Sequence, residues 1–229
     1  MNSRATICFI FLFSFFFLEV FLFTTSAQDK KIRRYLYENA YIEKTTTVIN
    51  QALETVTTEK IYISGWGNKE AHYKNEKRNI KMINKKEESK SVSIFDGKWL
   101  INFDPDKKTG TKMTNPFYDK FAGKSEKELK DFSKNVADAF GTAVKKIGTG
   151  EVLGKTCDIF ESNTNLGGVK VKSKMWIYKN FIMKLDGEGM GTKTTEVVTV
   201  YKEGATPDAK LLTVPAGVKL TEVKIPFNK

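Results

Sequence analysis

Cysteine and histidine are almost missing from this sequence. Its 229 residues hold two Cys and one His, and Cys8 lies in an apolar opening stretch expected to be removed. Cys157 and His72 alone cannot build a zinc site of Cys/His ligands, a disulfide framework or a twin-Cys redox motif. Aromatic residues are also scarcer than they look, because eight of the 17 Phe fall within the first 23 residues. Outside that stretch no apolar run approaches the ~20 residues of a spanning helix. Enzyme chemistries that rest on a Cys/His metal site or a twin-Cys motif are thereby excluded, other enzyme readings start at a disadvantage, and no cofactor is implied.

What is present begins with an export signal. Arg4 supplies a positive start, residues 7–23 are almost continuously apolar apart from Glu19, and Thr25, Ser26 and Ala27 are the small residues that a signal peptidase reads. Cleavage is expected after Ala27, leaving residues 28–229 as a single soluble domain, periplasmic or extracellular. The net charge is +11, and the excess of cations stays with that domain because Arg4 and Glu19 cancel.

The domain reads as mainly β. Short runs rich in Thr, Val, Ile and aromatics alternate with turn residues, the pattern of an antiparallel meander. Strands are expected over residues 41–49, 55–63, 70–73, 78–83, 92–95, 98–103, 155–161, 169–179, 181–185 and 193–201, about ten in all. The charged residues 85–90 read as a link. Asp96 and Gly97 are a hairpin signal, in which both central residues are to take positive φ. One segment differs: over residues 125–147 Leu129, Phe132, Val136, Phe140, Val144 and Ile147 recur every three or four positions, which predicts a helix with an apolar stripe. Ser125 and Glu128 fit a capping box and Gly148 a stop. This helix either completes a core or lids a cavity.

Several motifs dissolve on inspection. Residues 149–156 imitate a phosphate loop, but its first glycine position is Thr149 and a strand follows, so a strand-turn-strand is expected. Gly187, Gly189 and Gly191 precede a strand and read as a hairpin loop, and Asp104 and Asp106 read as a turn rather than a calcium site. A nucleophilic pair of Cys157 and His72 is set aside. Cys157 lies in a strand run that suits a buried thiol, and His72 stands in a charged stretch expected to be solvated.

Read in order, the segments Thr58 through Ala71 (TEKIYISGWGNKEA), Ser93 through Trp99 (SIFDGKW), Gly150 through Cys157 (GEVLGKTC), Lys174 through Tyr178 (KMWIY) and Val214 through Val218 (VPAGV) carry a resemblance. Together they resemble the LolA-like group of bacterial envelope proteins, the outer-membrane lipoprotein carriers and their small secreted relatives. The resemblance spans most of residues 40–218. It implies an α+β fold, an open antiparallel half-barrel meander with one long helix packed on the concave face, and a non-catalytic role in which acyl chains are sheltered there.

Val169, Val171, Met175 and Ile177 are expected on one face of their strand, with Lys170, Lys172, Lys174 and Trp176 on the other. Phe181, Met183 and Leu185 continue the apolar face. The candidate lining for a hydrophobic or lipid-like ligand is therefore Val171, Met175, Ile177, Phe181, Met183 and Leu185, with Phe132 and Phe140 from the helix. The charge supports a different reading, a monomeric basic module whose Tyr62, Trp66, Tyr73 and Trp99 lie among lysines and which meets an envelope protein, an acidic polysaccharide or an anionic membrane surface. Nucleic acid is disfavoured because the cations are interleaved with acids, as in residues 85–88.

Overall fold

The structure is a computed structural model and describes residues 24–25, 32–115, 143–166 and 169–223. Two short strands, β1 (Thr24–Thr25) and β2 (Ile32–Arg33), pair with each other. Everything else belongs to one open sheet of 12 strands. In chain order these are β3 (Ala40–Ile49), β4 (Leu53–Ser64), β5 (Lys69–Ile80), β6 (Lys85–Phe95), β7 (Trp99–Asp104), β8 (Thr109–Thr114), β9 (Ala143–Val152), β10 (Lys155–Leu166), β11 (Val169–Tyr178), β12 (Phe181–Gly189), β13 (Thr192–Glu203) and β14 (Lys219–Glu222). Their spatial order is β14-β8-β7-β6-β5-β4-β3-β13-β12-β11-β10-β9. Neighbours are antiparallel except β14, which runs parallel to β8. β14 and β9 are left as edges, so the sheet does not close into a barrel.

The meander follows from its turns. Lys179 (φ 47) and Asn180 (φ 67) both take left-handed backbone between β11 and β12, as do Leu153 and Gly154 between β9 and β10, the conformation whose twist matches the flanking strands. The expected strand-turn-strand at residues 149–156 and the antiparallel pairing of β11 with β12 are thus both present. At the β6–β7 hairpin Gly97 takes positive φ but Asp96 does not; its carboxylate instead accepts from the Trp99 amide at 2.8 Å.

Several expectations need correction. Residues 70–83 are not two strands: β5 is continuous to Ile80, and Lys81–Ile83 form a 3-10 turn. The charged residues 85–90 are the first half of β6, exposed side chains on a regular backbone ladder. Gly187 and Gly189 lie within β12, and only Gly191 is in the turn. No strand is expected from the sequence at β8, at β14 or in β9 before residue 149.

Among the described residues there is no α-helix, and none long and apolar enough to cross a membrane. Residues 125–142 of the expected helix, with Phe132 and Phe140, lie outside the described residues. Its C-terminal part is contradicted, because Val144 and Ile147 sit in β9 with 40% and 41% exposure and Gly148 continues the strand. A register shift at Ile159/Phe160 in the pairing of β9 with β10 breaks the two-residue alternation there, so a spacing of three matches a helix by coincidence.

Each face of the sheet carries its own core. Ala40, Ile42, Ile61, Ile63, Phe181, Met183 and Val198 bury one face under Tyr35 and Tyr37 of the segment that precedes β3. On the other face Ala71, Val92, Ile94 and Phe103 are covered by Leu212, with Val214, Val218 and Leu220 beside it. The Tyr73 hydroxyl ties that cover down by donating to the Leu211 carbonyl at 3.0 Å. Tyr62 and Tyr73 are half-buried against this second core.

Candidate functional site

The inward positions of a buried strand are ordinarily apolar, yet on the first face charged residues take them on four adjacent strands. Lys44 of β3 lies opposite Glu59 of β4, which lies opposite Lys74 of β5, and Thr46 lies opposite Glu196 of β13. The Lys44 ammonium sits 3.2 Å from both Glu59 and Glu196, Lys74 is 3.2 Å from Glu59, and the Thr46 hydroxyl donates to Glu196 at 3.0 Å. His72 of β5 continues the row, with Nδ1 2.7 Å from Glu59 Oε1 and Nε2 bonded to Glu70. Glu70 in turn meets the Arg34 guanidinium at 2.9 Å and accepts from the Tyr35 hydroxyl at 3.1 Å. The signs alternate along Glu196, Lys44, Glu59, His72, Glu70 and Arg34.

This row is deep. The side chains of Glu70, Glu59 and His72 are 1%, 4% and 19% exposed. Burial alone raises a carboxyl and lowers an imidazole, but the neighbours prevail. Arg34, then His72, with the Tyr35 hydroxyl, hold Glu70 down at about 2. Lys44, His72 and Lys74 hold Glu59 well below the usual carboxylate range. Against its own burial, Glu70 and Glu59 raise His72 to about 9. The ring is therefore an imidazolium at neutral pH with both N–H groups committed to carboxylates. A histidine so placed has no lone pair with which to accept a proton from a substrate.

His72 is thus a buried bridge rather than the solvated residue expected. A usable signal existed in the sequence: Glu59 occupies the same strand parity as Ile61 and Ile63, and a charge in an apolar parity calls for a buried partner. The two carboxylates lie on opposite ring nitrogens, and among the described residues no group of side chains is arranged to hold a metal. Cys157 is fully buried, its thiol 3.3 Å from the Lys155 carbonyl and pushed up by burial.

The late-strand candidates are partly brought together. Met175 pairs with Leu185, and Met183 and Phe181 follow along β12; all four are buried. Val171, half-buried, lies opposite Gly189. A register shift after Trp176 pairs Ile177 with Ile182, so Ile177 does not continue the alternation that runs through Met175. Trp176 is flanked by Lys174 and Lys184, whose ammonium groups lie 5.1 and 4.4 Å from its ring. An open hollow of about 420 Å³ lies elsewhere, over β3 to β6, where Glu43, Thr45, Thr58, Lys60, Tyr73 and Lys90 line it. Register places these six on the opposite face from the buried charges.

No protein-family model and no curated protein matches the chain. Among solved structures it is similar to MucB in complex with MucA(peri), at 12% identity and TM-score 0.43, over 81% of this chain and 57% of that one, so it spans little more than half of MucB. It is also similar to LprF from Mycobacterium bovis, at 9% identity and TM-score 0.34, over 75% of this chain and 88% of that one. A third is a putative outer membrane lipoprotein-sorting protein domain from Vibrio parahaemolyticus, at 6% identity and TM-score 0.35, over 76% and 88%. The likeness is one of fold and extends to no ligand, partner or site residue.

Proposed function

We propose that the chain is an exported, non-catalytic binding protein that takes a hydrophobic or amphipathic ligand, such as an acyl chain, against the apolar face of its late strands. The observation that carries this reading is the apolar block of Met175, Phe181, Met183 and Leu185 on one face of the late strands, buried and covered at Phe181 and Met183 by Tyr35 and Tyr37, so that an acyl chain would enter beside that cover. Two methionines side by side suit a surface that must fit flexible chains. Val171 borders the block, and Phe132 and Phe140 belong to the same proposal, whereas the register shift after Trp176 takes Ile177 out of it. The saturated ring of His72 supports a role in binding rather than catalysis.

The test is a fluorescent acyl probe, with mass spectrometry of lipids that co-purify. Wild type is expected to retain the probe. Val171→Asp, at a half-buried position, is expected to weaken retention at least tenfold with an unchanged circular dichroism spectrum. Met175→Lys probes the centre of the block and is interpreted only if its spectrum is native. A wild type that neither binds the probe nor carries lipid overturns the reading.

A further inference from the structure

An antiparallel meander sends alternate turns to the same end of its sheet. One end here carries the β3–β4 turn at residues 50–52, the β5–β6 connection Lys81–Ile83 with Asn84, and the β12–β13 turn at Met190 and Gly191. Their registers agree, for Ile49 pairs with both Lys193 and Glu54, and Leu53 pairs with Ile80. At ~4.8 Å per strand, the outer two turns stand ~19 Å apart.

These turns hold out large apolar side chains. Met82 is 74% exposed, Ile83 65%, Met190 50% and Ile49 41%. They are not loose ends. Asn50 Oδ1 accepts from the amides of Ala52 and Leu53 at 2.9 and 2.8 Å, and the Lys81 amide donates to the Ala52 carbonyl at 2.9 Å, joining two neighbouring turns. Left-handed Asn84 closes the 3-10 turn. A backbone this well satisfied fixes Met82 and Ile83 outward, where water is their costliest surrounding.

The charge around them is predominantly positive, with acids set back along the strands. From residue 77 to 86 stand five cations, Lys77, Arg78, Lys81, Lys85 and Lys86, and no acid. Arg78 and Lys85 are paired with Glu76 and Glu87. Lys77, Lys81 and Lys86 have no acidic partner among the described residues. Exposed apolar tips ringed by cations fit a surface with an acyl boundary beneath anionic headgroups.

We propose that this end of the sheet docks on an anionic lipid surface, Met82 and Ile83 entering the acyl boundary while Lys81, Lys85 and Lys86 meet headgroup phosphates. Charge argues against a second copy as occupant, because two such ends would bring their cations together. The inference stands apart from the ligand reading: an empty late-strand face leaves it intact.

The experiment is co-sedimentation of the chain, as recovered after secretory expression, with phosphatidylcholine vesicles containing or lacking phosphatidylglycerol. Wild type is expected to bind the anionic vesicles at least tenfold more tightly, and less so as salt rises. The neutral vesicles account for any apolar leader that remains, since its binding does not need anionic lipid. Met82→Ser with Ile83→Ser leaves the net charge unchanged and is expected to cost at least tenfold. Lys81→Gln with Lys86→Gln is expected to do the same, whereas Lys174→Gln with Lys184→Gln, on a distant part of the sheet, is expected to have little effect. Both tip variants alter only exposed side chains, and a native circular dichroism spectrum confirms the fold. Equal binding by wild type and the Met82/Ile83 variant overturns the proposal, as does the absence of anionic preference. A wild type that dimerises through these turns, shown by light scattering and relieved by the same variant, also overturns it.

Discussion

The Nδ1 atom of His72 lies 2.7 Å from Glu59 Oε1, joining two neighbouring strands by a charged hydrogen bond on the inward face of the sheet. His72 stands opposite Ile61 and Glu59 opposite Lys74, so the bond runs diagonally across the ladder. It closes a row in which each buried charge between the two ends has an opposite one on either side. A fully paired row of this kind adds little net stability over a well-packed apolar one, but losing one member leaves others uncompensated.

His72→Ala is therefore expected to cost about 3 kcal/mol. Lys44, Lys74 and Arg34 still serve the two carboxylates, which keeps the loss below that of an isolated pair. Urea denaturation measures it, and a loss under about 1 kcal/mol contradicts the account.

Stability should also depend on pH with a defined shape. His72 is raised from 6.5 to about 9, so its contribution is complete below 6.5 and is lost as pH climbs through 9. Glu70 is lowered from 4.5 to about 2, so its contribution is complete above 4.5 and is lost as pH falls toward 2. Stability is expected to plateau between about 4.5 and 6.5 and to decline on both sides by an amount of order 2 to 3 kcal/mol. The chain has one His, so a single proton NMR titration reports the alkaline limb directly. A midpoint below 7 contradicts the paired geometry.

Where strands pair apolar with polar in strict alternation, the sequence was legible: residues 41–49, 55–63 and 181–185 fall inside β3, β4 and β12. Where exposure is nearly complete the alternation vanishes. Residues 85–90 are all exposed in β6, and their charges resemble a loop. The candidate lining was partly legible for the same reason, since Met175, Phe181, Met183 and Leu185 obey the period of two. Ile177 escaped because a register shift is a property of the pairing rather than of either strand. The charge row was hidden more deeply, because it is made by strands distant in sequence, Glu196 and Lys44 being 152 residues apart.

Tyr35→Phe is expected to cost about 1 to 2 kcal/mol. It removes one donor from a carboxylate that is 1% exposed while leaving the stacked rings of Tyr35 and Tyr37 in place. The acid limb of the stability profile should move to higher pH, since the Tyr35 hydroxyl helps to hold Glu70 low. An unchanged acid limb counts against the bond.

Gly67 is the position that lets the segment at residues 34–37 lie over this row. Its φ is +85°, and a Cβ there would meet the Tyr35 ring at 2.9 Å and Arg34 Cβ at 3.0 Å. Gly67→Ala thus carries two costs, a left-handed backbone and a collision with the residues that cap Glu70, and together they should exceed about 2 kcal/mol. The costs are separable. In a Tyr35→Ala background the ring is gone, so the collision with it is relieved while the contact with Arg34 Cβ and the backbone strain persist. A double-mutant cycle of Gly67→Ala with Tyr35→Ala is expected to give a coupling of about 1 kcal/mol or more, the pair losing less than the sum of the single losses. Strict additivity would mean that Gly67 matters only for its backbone and that Tyr35 does not press on it.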